Sequence, residues 1–204
     1  MDSRQLLRSY YDKAADHYLH RASRGVMGWL RRKELAITLD MIPPHGSGRA
    51  LDAGCGPGFY SCVMRERGFD VCAVDLSPEM VKKVKELGFT ACVMDIERSC
   101  PPEELSPPFD FVFCAGVLEF AEDVRRFLGS LRSMTADGGE VLAVAPMKGF
   151  FGGIYKAYLQ ARGIPCRLYT ERALASDLRA SGFEPVEIRK SRPICLAIRA
   201  RAVR

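Results

Sequence analysis

Between Ala50 and Ser61 the chain reads Ala-Leu-Asp-Ala-Gly-Cys-Gly-Pro-Gly-Phe-Tyr-Ser, a short apolar run broken by glycines at 54, 56 and 58 before a helical pattern begins. Glycine has no Cβ, so it takes the positive φ of a tight turn and lets a ligand lie directly against the backbone. An apolar strand that ends in such a turn and feeds a helix belongs in an α/β sheet, where the turn acts as a cofactor cradle.

The sequence from Arg49 onward supplies the rest of that sheet. An apolar strand, an acidic residue at its end and a helix recur three times: Ala50-Leu51 ends at Asp52, Val71 to Val74 at Asp75, and Ala91 to Met94 at Asp95. These intervals suit compact strand–helix–strand units with helices at about 58–67 and 78–87. Ser77-Pro78-Glu79 is a helix start, with serine as N-cap and proline in the first turn. A proline-rich loop precedes an expected strand over Phe109 to Cys114 and a helix from about Ala121 to Thr135. Asp137-Gly138-Gly139 is read as a turn into a strand over Glu140 to Ala145. Alternating β and α elements predict a doubly wound, mostly parallel sheet. A helix capped by Thr170 and stopped by Gly182 follows, then strands at Glu184 to Arg189 and Pro193 to Arg201. The short Lys190-Ser191-Arg192 link predicts that these two form an antiparallel hairpin.

Ahead of the glycines, Leu7, Tyr11, Ala14 and Tyr18 mark one face of a helix within residues 3–23. A second helix is expected from Val26 to Met41, with Trp29, Leu30, Ile37 and Met41 inward, ended by Pro43-Pro44 and Gly46-Ser47-Gly48.

With 204 residues, one sizeable α/β domain is the expectation. No basic and apolar leader pattern and no run of membrane-spanning length is seen, so a cytoplasmic location is expected. Eight cysteines without Cys-x-x-Cys spacing or neighbouring histidines argue against disulfides and a metal site; they read as small buried hydrophobes. The net charge of +5 is concentrated at the ends: eight basic against three acidic side chains over residues 1–33, and six against one over residues 186–204. Such ends suit an anionic substrate, an acidic membrane surface or RNA, but no RNA-module pattern accompanies them and solvated faces are the simpler reading.

The residues around the glycines narrow the ligand. A dinucleotide fingerprint needs glycine or alanine at position 59, where this chain has Phe59. Asp52, two positions ahead of the first glycine, would repel a pyrophosphate and suit an ammonium group. Asp75, 21 positions beyond Gly54, is placed to accept from a ribose diol. Acid, glycine turn and ribose carboxylate together fit S-adenosylmethionine, which carries an ammonium and a cationic sulfur.

On these residues the chain resembles the class I S-adenosylmethionine-dependent methyltransferases, in the group similar to the small-molecule enzymes of quinone biosynthesis. Leu51-Asp-Ala-Gly-Cys-Gly-Pro-Gly58 looks like the family's first motif, Val74-Asp-Leu-Ser-Pro-Glu-Met80 its second, and Val93-Met-Asp-Ile-Glu97 its adenine-binding segment. Phe109 to Glu119 is similar to its fourth strand and the turn after it, and Tyr11 to Tyr18 to the N-terminal helix that closes over the cofactor. The resemblance covers about residues 10–190. It implies a Rossmann-like seven-stranded sheet of order 3-2-1-4-5-7-6, with strand 7 antiparallel and an N-terminal helical lid. The chain would then be one domain: lid over 1–42, cofactor-binding core over 49–145, and substrate-side segment with the terminal hairpin over 146–204.

The same resemblance implies the site. Gly54, Gly56 and Gly58 pass under the methionine moiety, Asp52 lies near its ammonium, Asp75 holds the ribose hydroxyls, Asp95 accepts from the adenine amino group, and Ile96 lies against the ring. Cys55, Leu76, Met80 and Cys114, within these motifs, are expected around the cofactor, as are Tyr11 and Tyr18 from the lid. Many relatives carry a histidine after the Leu-Glu pair of the fourth strand, where this chain has Leu118-Glu119-Phe120. Glu119 and His17 are therefore the candidate catalytic groups, with His20 and His45 as surface or structural alternatives. Displacement at a sulfonium needs no metal, and a general base only if the acceptor must lose a proton. Phe150, Phe151, Tyr155 and Tyr158 are candidates to wall an apolar or aromatic small-molecule acceptor, with Lys148 and Lys156 for an anionic group; a packed helix is the alternative. An RNA or protein acceptor, or a non-catalytic sensor or partner subunit that binds the cofactor, stays as an alternative.

Overall fold

The computed structural model describes residues 3–14, 25–191 and 195–204. In chain order the elements are α1 (Ser3–Ala14), α2 (Gly25–Met41), β1 (Arg49–Ala53), α3 (Phe59–Glu66), β2 (Asp70–Asp75), α4 (Pro78–Glu86), β3 (Thr90–Val93) and β4 (Phe109–Ala115). Then come α5 (Val124–Met134), β5 (Thr135–Pro146), α6 (Phe150–Gln160), α7 (Glu171–Ala180), β6 (Phe183–Ser191) and β7 (Cys195–Ala202). Short 3₁₀ turns occupy Glu103–Leu105 and Leu118–Phe120.

All seven strands join one sheet in the order β3-β2-β1-β4-β5-β7-β6. β1 pairs in parallel with β2 on one side and β4 on the other, whereas β7 is antiparallel to both β5 and β6. The expected topology, terminal hairpin included, is the one found. Successive strand residues feed opposite faces of this sheet. Leu51, Cys72, Val74, Val112 and Cys114 belong to the core on one face, whereas Ala50, Val71, Ala73, Phe111 and Phe113 belong to the core on the other. Because both faces are covered, the central strands are mostly apolar and do not alternate regularly with polar residues.

Helix ends follow their capping chemistry. Ser77 Oγ accepts the N–H of Met80 at 3.2 Å, and Thr170 Oγ1 accepts that of Ala173 at 3.2 Å. Asp123 accepts from Arg125 and Arg126, so α5 begins at Val124 and not at Ala121 as expected, with the residues just before it in a 3₁₀ turn. α5 then buries Val124, Phe127, Leu128, Leu131 and Met134, the spacing of a single helix face. A second correction concerns Asp137-Gly138-Gly139. Those residues lie inside β5, which starts at Thr135, and the pairing with β4 shifts register between Phe109 and Phe111.

Met41 is fully buried and Ile37 packs beside it, as expected; the side chains of Trp29 and Leu30 lie outside the described residues. All eight cysteines are free, and six are buried; Cys62 is half-buried and Cys100 exposed, so the small-hydrophobe reading does not extend to Cys100. Among the described residues no helix is long and apolar enough to cross a membrane. The basic C-terminal strands are largely neutralised by pairing. Arg189 meets Asp40 and Glu187, Lys190 meets Glu171, and Arg199 and Arg201 meet Glu140.

Candidate active site

The carboxyl ends of β1, β2, β3 and β4 converge at the switch point between β1 and β4, and α1 lies across them. The cleft so formed holds about 690 Å³ of space, its open mouth included. Its floor and walls are Gly54 and Gly56 after β1, Asp75, Leu76 and Ser77 at the end of β2, Met94, Asp95 and Ile96 after β3, and Ala115 to Val117 at the end of β4. Arg4, Leu7, Arg8 and Tyr11 of α1 form the cover, and Phe120 and Phe127 complete the apolar side.

The glycine turn is built by backbone hydrogen bonds that only a tight path allows. The N–H groups of Gly54 and Cys55 both donate to the carbonyl of Val74, at 2.8 and 3.0 Å, which straps the turn to β2. Gly54 has φ +83°, and a Cβ there would lie 2.1 Å from Cγ2 of Val117. Gly56 has φ +51°, and a Cβ would meet nothing within 4 Å, so the space beside this cleft-lining residue is open for a ligand.

Asp75 fixes the second turn. Its Oδ2 accepts the N–H of Gly56 at 2.8 Å and its Oδ1 that of Ser77 at 2.9 Å. Burial pushes this carboxyl above its usual range, opposed by the amides of Ser77 and Gly56. Asp95 accepts the N–H of Glu97 at 3.1 Å and lies 3.6 Å from Nε of Arg4.

Five of the expected residues lie beneath this surface and not on it. Asp52 is fully buried; its Oδ2 accepts the hydroxyl of Ser61 at 2.6 Å, and burial pushes its carboxyl up to about 7. It turns toward the start of α3 and is not among the cleft-lining residues. Met80 and Cys114 are core side chains, Cys55 packs under the turn, and Gly58 is the N-cap of α3. Tyr11, Gly54, Gly56, Asp75, Leu76, Asp95 and Ile96 do line the cleft. His17, His20 and Tyr18 lie outside the described residues, and His45 is exposed.

Phe120, after the Leu118-Glu119 pair, belongs to an apolar seal. Phe120 packs edge-on against Tyr11, ring centroids 5.9 Å apart, and joins Leu7, Leu159, Ile164 and Cys166 in a small core that ties α1 to α6. Glu119 beside it is buried. Its Oε1 accepts the Tyr155 hydroxyl at 3.4 Å, and its Oε2 has no hydrogen-bond partner among the described residues. Burial drives this carboxyl up to about 8, with the negative charge of Glu34 adding to the effect.

The substrate-side aromatics divide. Tyr155 packs against the small core, whereas Phe150, Phe151 and Tyr158 are exposed and are not among the residues that line the cleft. Sequence reasoning missed Arg4 altogether. Its guanidinium bridges Asp95, Glu97 and Glu122, while Glu97 also accepts the N–H groups of Glu122 and Asp123 at 3.0 and 2.7 Å. The second tie is Ser77 Oγ, which donates to Asp12 of α1.

The fold and cleft define a cofactor-binding α/β protein with a helical cover. A methyltransferase-domain family model matches residues 8–188, and the chain belongs to that family, the class whose methyl donor is S-adenosylmethionine. The malonyl-[acyl-carrier protein] O-methyltransferase of Serratia marcescens is 29% identical over 163 residues, 79% of this chain and 60% of that protein. The ubiquinone biosynthesis O-methyltransferase of Bordetella avium is 29% identical over 154 residues, 69% of this chain and 64% of that one. The chain thus spans a little over three fifths of the length of these curated relatives. Among solved structures, magnesium protoporphyrin IX methyltransferase from Synechocystis with bound SAH superposes with TM-score 0.73 at 17% identity, covering 97% of this chain and 99% of that one.

Proposed function

We propose that the chain binds S-adenosylmethionine in the cleft beneath α1 and transfers its methyl group to an oxygen of a small-molecule acceptor. The observation that carries this reading is the pairing of Asp75 with the N–H of Gly56, which holds the turn open beside a half-buried carboxylate. The fit of the cofactor rests on the same place: a carboxylate set for hydroxyl donors, an open glycine surface, and apolar side chains at Leu76, Ile96 and Phe120 for a ring system. Oxygen as the acceptor atom is inferred from the two relatives, both named O-methyltransferases.

The bound cofactor supplies a methyl group on a cationic sulfur, which leaves as the neutral sulfide in an in-line displacement. The chain's own residues would position and enclose it. Asp75 takes the ribose hydroxyls, Asp95 the adenine amino group, and Ile96 and Leu76 the ring faces. Leu7, Tyr11 and Phe120 exclude water from the cleft. Glu119, buried between Val117 and Phe120 of the cleft wall and not itself a lining residue, is the acid–base group in this reading once an acceptor hydroxyl reaches its Oε2, which takes a proton above its pKa and holds one below it.

A methyl-labelled donor tests the reading. After incubation with metabolite, RNA and protein fractions, label is expected in the metabolite fraction, in a product whose new methyl is bound to oxygen. Label confined to RNA or protein, or none from a chain that binds the donor, would contradict it.

A further inference from the structure

Helix α6 is amphipathic the wrong way round for a soluble surface. Phe150 is 79% exposed, Ile154 54%, Tyr158 49% and Phe151 38%, with Ala157 and Ala161 also exposed beside them, whereas Gly152 and Leu159 face the protein. Positions 150, 154, 157, 158 and 161 share one helix face, so the exposed apolar side chains form a continuous strip. An isolated exposed leucine or phenylalanine is ordinary; an apolar strip of this kind marks an interaction surface.

The charge carried by this segment has one sign. From Met147 to Thr170 the chain carries Lys148, Lys156, Arg162 and Arg167 and no acidic residue. Lys148 and Arg162 are exposed at the two ends of α6, and the Arg162 guanidinium stacks 3.6 Å above the Tyr158 ring. Among the described residues neither is in an ion pair, in contrast to the C-terminal strands, whose arginines meet Asp40, Glu140 and Glu187. Unneutralised positive charge therefore coincides with unburied apolar surface.

We propose that α6 is an interfacial helix that docks the protein on an anionic lipid bilayer. Phe150, Phe151, Ile154 and Tyr158 enter the boundary between headgroups and acyl chains, with Lys148 and Arg162 at the lipid phosphates. A lipid surface suits the strip better than a protein partner does. The side chains are splayed on a convex helix, and apart from the Tyr158 hydroxyl those of the strip carry no hydrogen-bonding group, so they match a fluid surface, at whose headgroup level an amphipathic tyrosine also sits. The docked face also adjoins the cleft. Leu159 and Tyr155 of α6 pack in the same small core as Leu7 and Phe120, which line it, so an acceptor partitioned into the bilayer would arrive beside the cover helix.

Co-sedimentation of the full chain with vesicles tests the proposal, using phosphatidylcholine alone and an equal mixture with phosphatidylglycerol. Binding is expected only to the mixed vesicles and should weaken as salt is raised. The Phe150→Ser/Phe151→Ser/Ile154→Ser chain and, separately, the Lys148→Glu/Arg162→Glu chain should each lose at least about tenfold of that partitioning. Cofactor binding, measured in the same variants, should stay as in the parent chain, since none of these residues lines the cleft. Three results would overturn the proposal: no sedimentation of the parent chain with anionic vesicles, equal binding to both vesicle types, or variants that bind as well as the parent. A dimer that the serine variant dissociates, without vesicle binding, would instead give the strip to a second copy of the chain.

Discussion

Asp75, at the carboxyl end of β2, accepts the backbone N–H of Gly56 at 2.8 Å, so the acid of one strand holds the glycine turn of its neighbour. The same carboxylate accepts from Ser77 at 2.9 Å. Asp75→Ala removes both acceptors at once and leaves two amides to find others. Affinity for S-adenosylhomocysteine should fall by about 10- to 100-fold, the worth of a hydrogen bond to a charged group. Asp75→Asn, which keeps an acceptor oxygen, should recover part of the loss. Calorimetric titration of the three chains checks the order.

Gly54 is constrained from two directions. Its φ of +83° disfavours any Cβ, and that Cβ would lie 2.1 Å from Val117. Gly54→Ala should therefore destabilise the fold by roughly 2–4 kcal/mol. Adding Val117→Ala should return the steric share and leave the conformational share, which is read from urea-unfolding midpoints of the single and double variants. A full recovery would show that the backbone angle carries no cost.

Arg4 closes the cover by reaching three carboxylates, of which that of Glu97 is buried. Glu97 is almost inaccessible, so the pair is poorly screened and its loss leaves a buried charge short of a partner. Arg4→Ala should speed cofactor release by about tenfold, or 1.4 kcal/mol. Moderate salt should accelerate release far less than the substitution does. Dissociation rates followed by competition with unlabelled ligand give the comparison.

Glu119 and Asp52 share a pH signature. Burial raises their carboxyls to about 8 and about 7, above values of 4.5 and 3.8 for free groups. Between the unfolded and folded values the native state binds more protons than the unfolded chain, so stability falls as pH rises through that window. The contribution is complete below about pH 4 and is lost by about pH 8, on the order of a few kcal/mol. Glu119→Gln should flatten part of this slope and make the chain relatively more stable at pH 8 than the parent. In the proposed reaction the same variant should also lose the rise in kcat with pH near 8, a limb that a purely structural Glu119 would leave in place.

The central sheet was legible because its signals are local. The apolar runs ending at Asp52, Asp75 and Asp95, and the glycines that follow the first of them, fix strand ends and one turn without knowledge of distant residues. The lining of the cleft was legible where it uses the backbone, at Gly54 and Gly56, or a strand-end carboxylate, at Asp75 and Asp95. Asp52 shows the limit: its position ahead of the glycines suggested a cleft carboxylate, but Ser61, nine residues on, satisfies it in the interior. Arg4 was illegible for a related reason, since its partner Glu97 lies 93 positions away and charge alone does not choose between solvent and a buried acid. The aromatics of α6 misled because apolar side chains are ordinarily read as core or pocket. Only accessibility in the folded chain shows Phe150 and Ile154 turned outward.

Calorimetric titration of the full chain with S-adenosylmethionine, S-adenosylhomocysteine and NAD tests the cleft most directly. One-to-one binding of both adenosyl ligands, weakened in Asp75→Ala, with no heat from NAD, is the expected result. Binding of NAD in place of the adenosyl ligands, or adenosyl binding indifferent to Asp75, would contradict it.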